Sequence, residues 1–118
     1  MTVLVAASDT KEGRAALLAA AEEARLLAAD LVVLNLTLGP LDLSVLPTDL
    51  TVEVVDRQGP EDRDPVDAVL DEVTARPGTR RLVIGVRRRS PIGKAILGSI
   101  SQRLLLESPV PVLAVKPD

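Results

Sequence analysis

Short apolar runs and longer amphipathic stretches alternate along the whole chain of 118 residues. Most of the apolar runs show no alternation with polar residues, which is typical of strands buried on both faces. The predicted strands cover residues 2–7, 31–36, 50–55, 81–86 and 110–115. The third strand contains Glu53, which must reach water, so it is predicted to lie nearer an edge of the sheet. The fifth begins among prolines, and proline at the start of a strand also suits an edge position.

The amphipathic stretches predict three helices, each with an apolar stripe at helical spacing. The predicted helices cover residues 11–29, 65–75 and 99–107. Ser8-Asp9-Thr10 forms a polar turn that can cap the first helix. Asp64-Pro65 fits the cap and the first position of the second. The third helix is predicted to bury Ile100 and Leu104, with Leu105 as a further candidate.

The resulting order of elements is β-α-β-β-α-β-α-β, and residues 1–118 are predicted to form one domain. Buried strands that alternate with helices indicate an α/β fold with an open, mostly parallel five-stranded sheet and helices on both faces. Right-handed crossovers then give the strand order 3-2-1-4-5. Ligands of such sheets bind at the carboxyl ends of the strands where the order reverses. Those ends carry Ala7-Ser8-Asp9 after the first strand and Gly85-Val86-Arg87 after the fourth.

The composition excludes several kinds of chemistry. The chain has no Cys and no His, which excludes disulfides, thiolate and imidazole catalysts, and metal sites built on those residues. It has no Phe, Tyr or Trp, and its net charge is −3, so a nucleic-acid partner is not expected. Because neither a long apolar run nor a secretory signal occurs, we expect no membrane span and a cytoplasmic location.

The segment Ile84–Ser101 carries the main candidate binding feature. A buried strand leads into three consecutive arginines, and glycines flank the loop before a helix that begins at Ser99. The N–H groups at a helix N-terminus are unpaired and bind anions. Gly85 fits either a close approach to a ligand or a simple turn. Gly98 with Ser99 fits a phosphate cradle, whereas a hydroxyl of Ser99 or Ser101 also fits an ordinary helix cap.

The basic residues of this segment leave two interpretations open. Arg87, Arg88 and Arg89 fit a solvated run, or one or two of them supply positive charge to a phosphate together with Lys94. A P-loop is excluded, because Ala95 stands where that motif needs Ser or Thr.

Four residues outside this segment also have two possible roles. Asp9 can bind ribose or Mg²⁺, although a helix cap is the commoner role. Ala6 and Leu36 lie at strand ends, where they would line an adenine slot or belong to the core. Asn35, inside an apolar strand, is interpreted as a structural hydrogen-bonding residue.

Several stretches resemble the universal stress protein family, and the resemblance spans nearly the whole chain. They are the first strand with its turn, VLVAASD, the second strand, LVVLNL, and the last, PVPVLAVKP. Nucleotide-binding members carry the motif G-x2-G-x9-G-S or G-x2-G-x9-G-T. Gly85 matches its first glycine, Gly98-Ser99 its end, and Ser101 a further hydroxyl residue that often follows.

Two positions differ from the binding members of that family. Arg88 replaces the second glycine of the motif, where it would either pair with a phosphate or fill its space. Ser8 aligns with the aspartate that contacts the nucleoside, and Asp9 is displaced by one. The segment after the second strand is also shorter than usual and is predicted to lack a helix.

The resemblance implies a homodimeric sensor or regulator of the stress response that binds ATP or another adenine nucleotide, with Mg²⁺ as a further candidate. The implied nucleotide-binding residues are Ala6, Ser8, Asp9, Leu36, Gly85, Arg87, Arg88, Gly98, Ser99, Ile100 and Ser101. The implied dimer edge consists of Val110, Val112, Leu113, Ala114 and Val115.

No catalytic residue is expected, and at most slow ATP hydrolysis. The alternative is a dimeric interaction module that binds no nucleotide. An adenylyl-transferring enzyme of similar fold is disfavoured, since its histidine motif cannot exist here.

Overall fold

The structure is a computed structural model that describes residues 1–37, 39–56, 64–88, 95–96 and 98–117. The helices are α1 (Lys11–Leu26), α2 (Pro65–Ala75) and α3 (Ser99–Glu107). The strands are β1 (Thr2–Ala7), β2 (Asp30–Asn35), β3 (Val52–Asp56), β4 (Thr79–Gly85), β5 (Arg87–Arg88), β6 (Ala95–Ile96) and β7 (Val112–Val115). Strand bounds differ from the predicted ones by at most two residues, as expected of boundaries inferred from sequence.

Five strands form one parallel sheet in the order β3-β2-β1-β4-β7. The predicted order 3-2-1-4-5 is confirmed, with β7 as the fifth strand. Val5 of the central strand β1 lies between Val33 of β2 and Val83 of β4. The chain order reverses at β1 and β4, so the carboxyl ends of these two strands form the switch point of the sheet.

The two faces of the sheet carry separate cores. Val3 and Val5 pack with the alanines of α1 on one face, where Ala16 and Ala20 are fully buried. Leu4 packs on the other face with α2 and α3. Because successive side chains of a strand point to opposite faces, the unbroken apolar run of β1 serves both cores.

Helix α1 ends at Leu26, three residues earlier than predicted. Ala28 has a φ of 52°, and the Ala29 N–H donates to the Ala24 carbonyl while the Ala28 N–H donates to that of Arg25. These two bonds define a Schellman motif, whose left-handed residue is usually glycine. An alanine takes that place here, so the sequence of helix-forming residues gave no stop signal.

The segment between β2 and β3 contains no helix in its described residues, 36–37 and 39–51. Four of its leucines instead cover the α1 side of the sheet. The packed residues are Leu41, Leu43, Leu46 and Leu50. An ion pair between Arg25 of α1 and Asp49 holds the end of this segment, and the hydrogen bond to Arg25 lowers the pKa of Asp49.

Asn35 is structural, as predicted from its place in an apolar strand. It is 2% exposed, and its amide donates to the Gly39 carbonyl and to Asp56 at 3.0 Å. Its carbonyl accepts from the N–H and the hydroxyl of Thr37. All four hydrogen-bonding positions of the side chain are filled, which joins the end of β2 to β3.

The two edges of the sheet differ in charge. On β3, Glu53 is exposed and pairs with Arg76 at 2.6 Å, and the hydrogen bond from Arg76 lowers the pKa of Glu53. The predicted edge position of this strand is confirmed. On β7 the residues are Val, Leu, Ala and Val, with no charge. No helix of the described residues has the length and apolarity that a membrane crossing needs.

Helix α3 buries less than predicted. Leu104 is 1% exposed, but Ile100 is 40% and Leu105 is 41% exposed. The expectation that Ile100 and Leu105 are buried was wrong, because this nine-residue helix packs along one side only. Arg103 fixes it to α2 through Asp64 and Asp67, at 3.6 and 3.7 Å.

Candidate functional site

A cleft of about 500 Å³ opens at the carboxyl ends of β1 and β4, where the order of strands reverses. It lies between the N-termini of α1 and α3. Nine of the residues predicted from sequence line it. They are Ala6, Ser8, Leu36, Gly85, Arg87, Gly98, Ser99, Ile100 and Ser101. The cleft therefore lies where the fold predicts a ligand site.

Two glycines bring the first turn of α1 against the strand ends. A Cβ on Gly85 would lie 2.6 Å from the carbonyl carbon of Glu12 and closer still to its oxygen. A Cβ on Gly13 would lie 2.6 Å from the Ser8 carbonyl oxygen. No side chain fits into either gap, so both glycines are required for close packing. For Gly85 this is a third role, beside the ligand contact and the turn that the sequence suggested.

The side chain of Thr10 caps the N-terminus of α1. The Thr10 hydroxyl accepts from the Gly13 N–H at 3.0 Å and is hydrogen-bonded to the Ser8 hydroxyl at 2.7 Å. The prediction that Asp9 is the cap was wrong, because Thr10 occupies that position. Asp9 is exposed and is not among the residues that line the cleft; its backbone carbonyl accepts from Arg14.

The N-terminus of α3 has no such cap. Gly98 is the N-cap residue and offers no side-chain hydrogen bond. Its φ and ψ are −67° and 165°, which any residue can adopt, and a Cβ there would meet nothing within 4 Å. The first N–H groups of a helix have no partner within the helix. Among the described residues no packing contact requires a glycine here, and no side chain caps these N–H groups, whose residues line the cleft.

Ser101 joins the two sides of the site. Its hydroxyl donates to the Gly85 carbonyl at 3.1 Å, which ties the first turn of α3 to the end of β4. This bond gives Ser101 a structural role. Ser99, two positions earlier, is exposed and lines the cleft.

The cleft has one described ion pair. Arg87 lies 3.4 Å from a carboxylate oxygen of Glu12. The Arg87 side chain is 67% exposed, whereas that of Glu12 is 20% exposed. The arginine is free to reorient toward a ligand, while the carboxylate belongs to the wall.

Arg89 and Lys94, the candidates for phosphate charge, lie outside the described residues. For Arg88 the structure gives the backbone, which pairs with Ala95 in the antiparallel β5–β6 hairpin. The segment after β4, which was predicted to be a loop, therefore contains two short paired strands.

Part of the lining of the cleft is apolar. Ala6 and Leu36 belong to it, as predicted, together with Ile84 and Leu104. Ile84 and Leu104 are buried in the core beneath the cleft. An uncapped helix N-terminus and an apolar part within one cleft suit a ligand with an anionic group and a flat or apolar group.

Five lining residues were missed from the sequence. They are Thr10, Glu12, Gly13, Ile84 and Leu104. The hydrophobic pattern assigns Glu12 and Gly13 to α1, and Ile84 and Leu104 to the core. Only the tertiary packing places these four residues at the cleft. A signal existed for Gly13, since a glycine in the first turn of a helix is unfavourable unless packing needs it.

Comparison with known proteins gives the family. The sequence model of the universal stress protein family matches residues 54–116. A universal stress protein of Mycolicibacterium smegmatis is 42% identical over 126 aligned positions, which cover 98% of this chain and 97% of that protein.

Two solved structures of universal stress proteins from Archaeoglobus fulgidus share the fold. One is 24% identical, with a TM-score of 0.71, and the match covers 98% of this chain and 97% of that chain. The other was solved in complex with dAMP and is 19% identical, with a TM-score of 0.65 and coverage of 98% and 96%.

The family match covers β4, α3 and β7, together with the segment between β4 and α3. The alignment with the relative from M. smegmatis covers almost the full length of both chains. The resemblance seen in the sequence is thereby confirmed. The chain belongs to the universal stress protein family.

Proposed function

We propose that this chain is a homodimeric, cytoplasmic sensor or regulator that binds an adenine nucleotide in the cleft at the switch point. The observation that carries the proposal is the uncapped N-terminus of α3, which opens into that cleft at Gly98. No catalytic role is proposed beyond slow ATP hydrolysis. Such hydrolysis would rest on phosphate positioning by Gly98, Ser99 and a bound Mg²⁺, because the chain has no His or Cys.

The phosphate end of the proposed site is the first turn of α3. The partial positive charge of a helix N-terminus and its unpaired N–H groups favour an anion. Of the two helices that begin at the cleft, α1 has a side-chain cap, in which Thr10 accepts from the Gly13 N–H, whereas no side chain of the described residues caps α3. A phosphate is therefore proposed to lie against Gly98 and Ser99, with Arg87 close enough to the cleft to pair with it.

The adenine end is the apolar part of the cleft. Ala6, Leu36 and Ile84 lie there, and a largely apolar slot is the usual environment of a flat ligand. The chain has no aromatic residue to stack on a base, so the base would be held by aliphatic side chains. The dAMP complex of the A. fulgidus protein is consistent with an adenine nucleotide as the ligand.

The residues fit Mg²⁺ only as an ion that arrives on the phosphates. Among the described lining residues Glu12 supplies the single carboxylate. Mg²⁺ is commonly held by one or two carboxylates together with substrate phosphates. Glu12 is therefore the candidate protein ligand, and Asp9 is not, since it is not one of those lining residues.

Nucleotide binding is tested on the purified protein. Denaturation should release an adenine nucleotide, and calorimetric titration with adenosine, AMP and ATP should show binding, with AMP and ATP measured with and without Mg²⁺. A protein that releases no nucleotide and gives no heat with millimolar ATP or AMP would contradict the proposal. The alternative, a dimeric interaction module without a nucleotide, would then be favoured, and Glu12 in the cleft is the observation that supports it.

The homodimer is proposed to form through β7. Strand β3 carries Glu53 and Asp56 on its edge, whereas β7 carries no charge. Uncharged edge strands invite pairing with another chain. The exposed face of α3 adjoins this strand in the sequence, with Leu105 at 41% and Leu106 at 74% exposure. A second copy would cover both.

Replacing Ala114 by proline is expected to convert the dimer into a monomer. The carbonyls of Pro111 and Val115 accept from β4, so the N–H of Ala114 points away from β4 in a parallel ladder. Proline would remove only that outward donor. Sedimentation velocity at micromolar concentration checks this, with Ala114→Val as the control that retains the N–H. A wild-type monomer, or a dimeric Ala114→Pro variant, would contradict the interface.

A further inference from the structure

Glu12 places a fixed negative charge in the cleft. Its carboxylate lies 3.4 Å from the Arg87 guanidinium, and both residues line the cleft. The backbone of Glu12 is pressed against Gly85 so closely that no Cβ would fit between them. The side chain is only 20% exposed. This packing holds the backbone of Glu12 in place, so a ligand can change only the rotamer of the Glu12 side chain.

The partner of this carboxylate is held differently. Arg87 is 67% exposed, and an ion pair that open to water contributes little, about 0–1 kcal/mol. Arg87 can therefore leave Glu12 for a phosphate at small cost. The carboxylate then stays behind without its partner, facing an anionic ligand in a confined space where repulsion is less screened than in water.

The charge of the cleft thus depends on what enters it. A neutral nucleoside leaves the Glu12–Arg87 pair intact. A monophosphate takes Arg87 and leaves one carboxylate unpaired. Each further phosphate adds negative charge against that same carboxylate, with no further cation among the described lining residues.

We propose that Glu12 is a specificity-determining residue that makes the cleft favour nucleosides and monophosphates over metal-free di- and triphosphates. The inference rests on the proposed function, because it concerns the ligand of the same cleft. It goes further by naming the class of ligand and the residue that selects it. Glu12 and Arg87 act as an internal ion pair that a phosphate must open.

The test compares Glu12→Gln with the wild type, using calorimetry in EDTA and low salt. The probes are adenosine, AMP, ATP and inorganic pyrophosphate. Glu12→Gln should bind AMP about threefold and ATP about tenfold more tightly, with adenosine unchanged. The gain should shrink at high ionic strength, where charges are screened.

Glu23→Gln is the matched control. Glu23 lies on the same helix, its side chain is 22% exposed, and it pairs with Arg81 of β4 at 3.6 Å. It is not among the residues that line the cleft. This variant removes the same charge from the same helix and should leave the affinities for all four probes unchanged.

The outcomes separate this inference from the proposed function. If both proteins bind AMP and ATP with the same ratio of affinities, nucleotide binding stands and the role of Glu12 is wrong. If no adenine compound binds but pyrophosphate binds Glu12→Gln more tightly than wild type, the role of Glu12 stands and the adenine ligand is wrong. If no probe binds either protein, both are overturned. If wild type binds AMP and Glu12→Gln does not, nucleotide binding stands and the role of Glu12 is wrong.

Discussion

Replacing Gly85 by alanine is expected to destabilise the protein by about 3 kcal/mol and to lower its Tm by roughly 10 °C or more. The added Cβ would lie 2.6 Å from the carbonyl carbon of Glu12. The Cβ is fixed directly to the backbone of β4, and the carbonyl carbon belongs to the backbone of α1. Neither can yield by rotating a side chain, so α1 must move away from the sheet.

The measurement is thermal unfolding followed by circular dichroism, with Gly39→Ala as the control. Gly39 follows β2, and a Cβ there would meet nothing within 4 Å, so this variant should unfold close to the wild type. The displacement of α1 should also open the cleft between Glu12 and β4. A Gly85→Ala protein that unfolds at the wild-type temperature would show that α1 does not approach β4 this closely.

The close packing at Gly85 illustrates what sequence patterns cannot reveal. The hydrophobic pattern and the composition predicted that Gly85 lies near the end of a strand, beside a binding cleft. They could not show that Glu12, which lies 73 residues earlier in the chain, packs against it, because a contact between distant segments leaves no local periodicity. The same limit hid Glu12, whose position in the first turn of α1 resembles an ordinary helix-dipole residue.

The order of strands could be predicted because each strand carries its own signal. The continuous apolar runs of β1, β2 and β4 require burial on both faces, and right-handed crossovers leave few arrangements. The end of α1 could not be predicted, since Ala28 adopts the left-handed conformation at a cost that only the Schellman hydrogen bonds offset. The burial of Ile100 was overestimated because apolarity alone does not distinguish a core position from one that lines a cleft.

The two helix N-termini at the cleft also show a difference that sequence alone does not reveal. Thr10 and Gly98 occupy equivalent N-cap positions, and both residue types are common there. Only the structure shows that the Thr10 hydroxyl is used by the Gly13 N–H, whereas α3 has no side-chain cap. This difference supports the proposal that a bound anion lies against α3, and it makes Gly98 the position at which stability and binding can be tested separately.

Replacing Gly98 by aspartate is expected to leave the Tm unchanged or slightly raised while phosphate-dependent binding falls about 30-fold or more. Aspartate is a favoured N-cap residue, and its Cβ has open space at this position. Its carboxylate would accept from the free N–H groups of α3, which are the groups proposed to hold the phosphate. Calorimetry with AMP and ATP measures the loss, and adenosine, which has no phosphate, should bind nearly as before.

The control for added charge is Gln102→Glu. Gln102 is exposed one turn further along α3 and its N–H already bonds the Gly98 carbonyl, so a glutamate there adds the same charge without covering the open N–H groups. If Gly98→Asp and Gln102→Glu weaken ATP binding equally, the loss comes from net charge and the N-terminus of α3 is not the phosphate site. If only Gly98→Asp loses binding while its Tm is retained, the N–H groups that a cap would satisfy are the ones a ligand uses, and the glycine at position 98 serves binding and not stability.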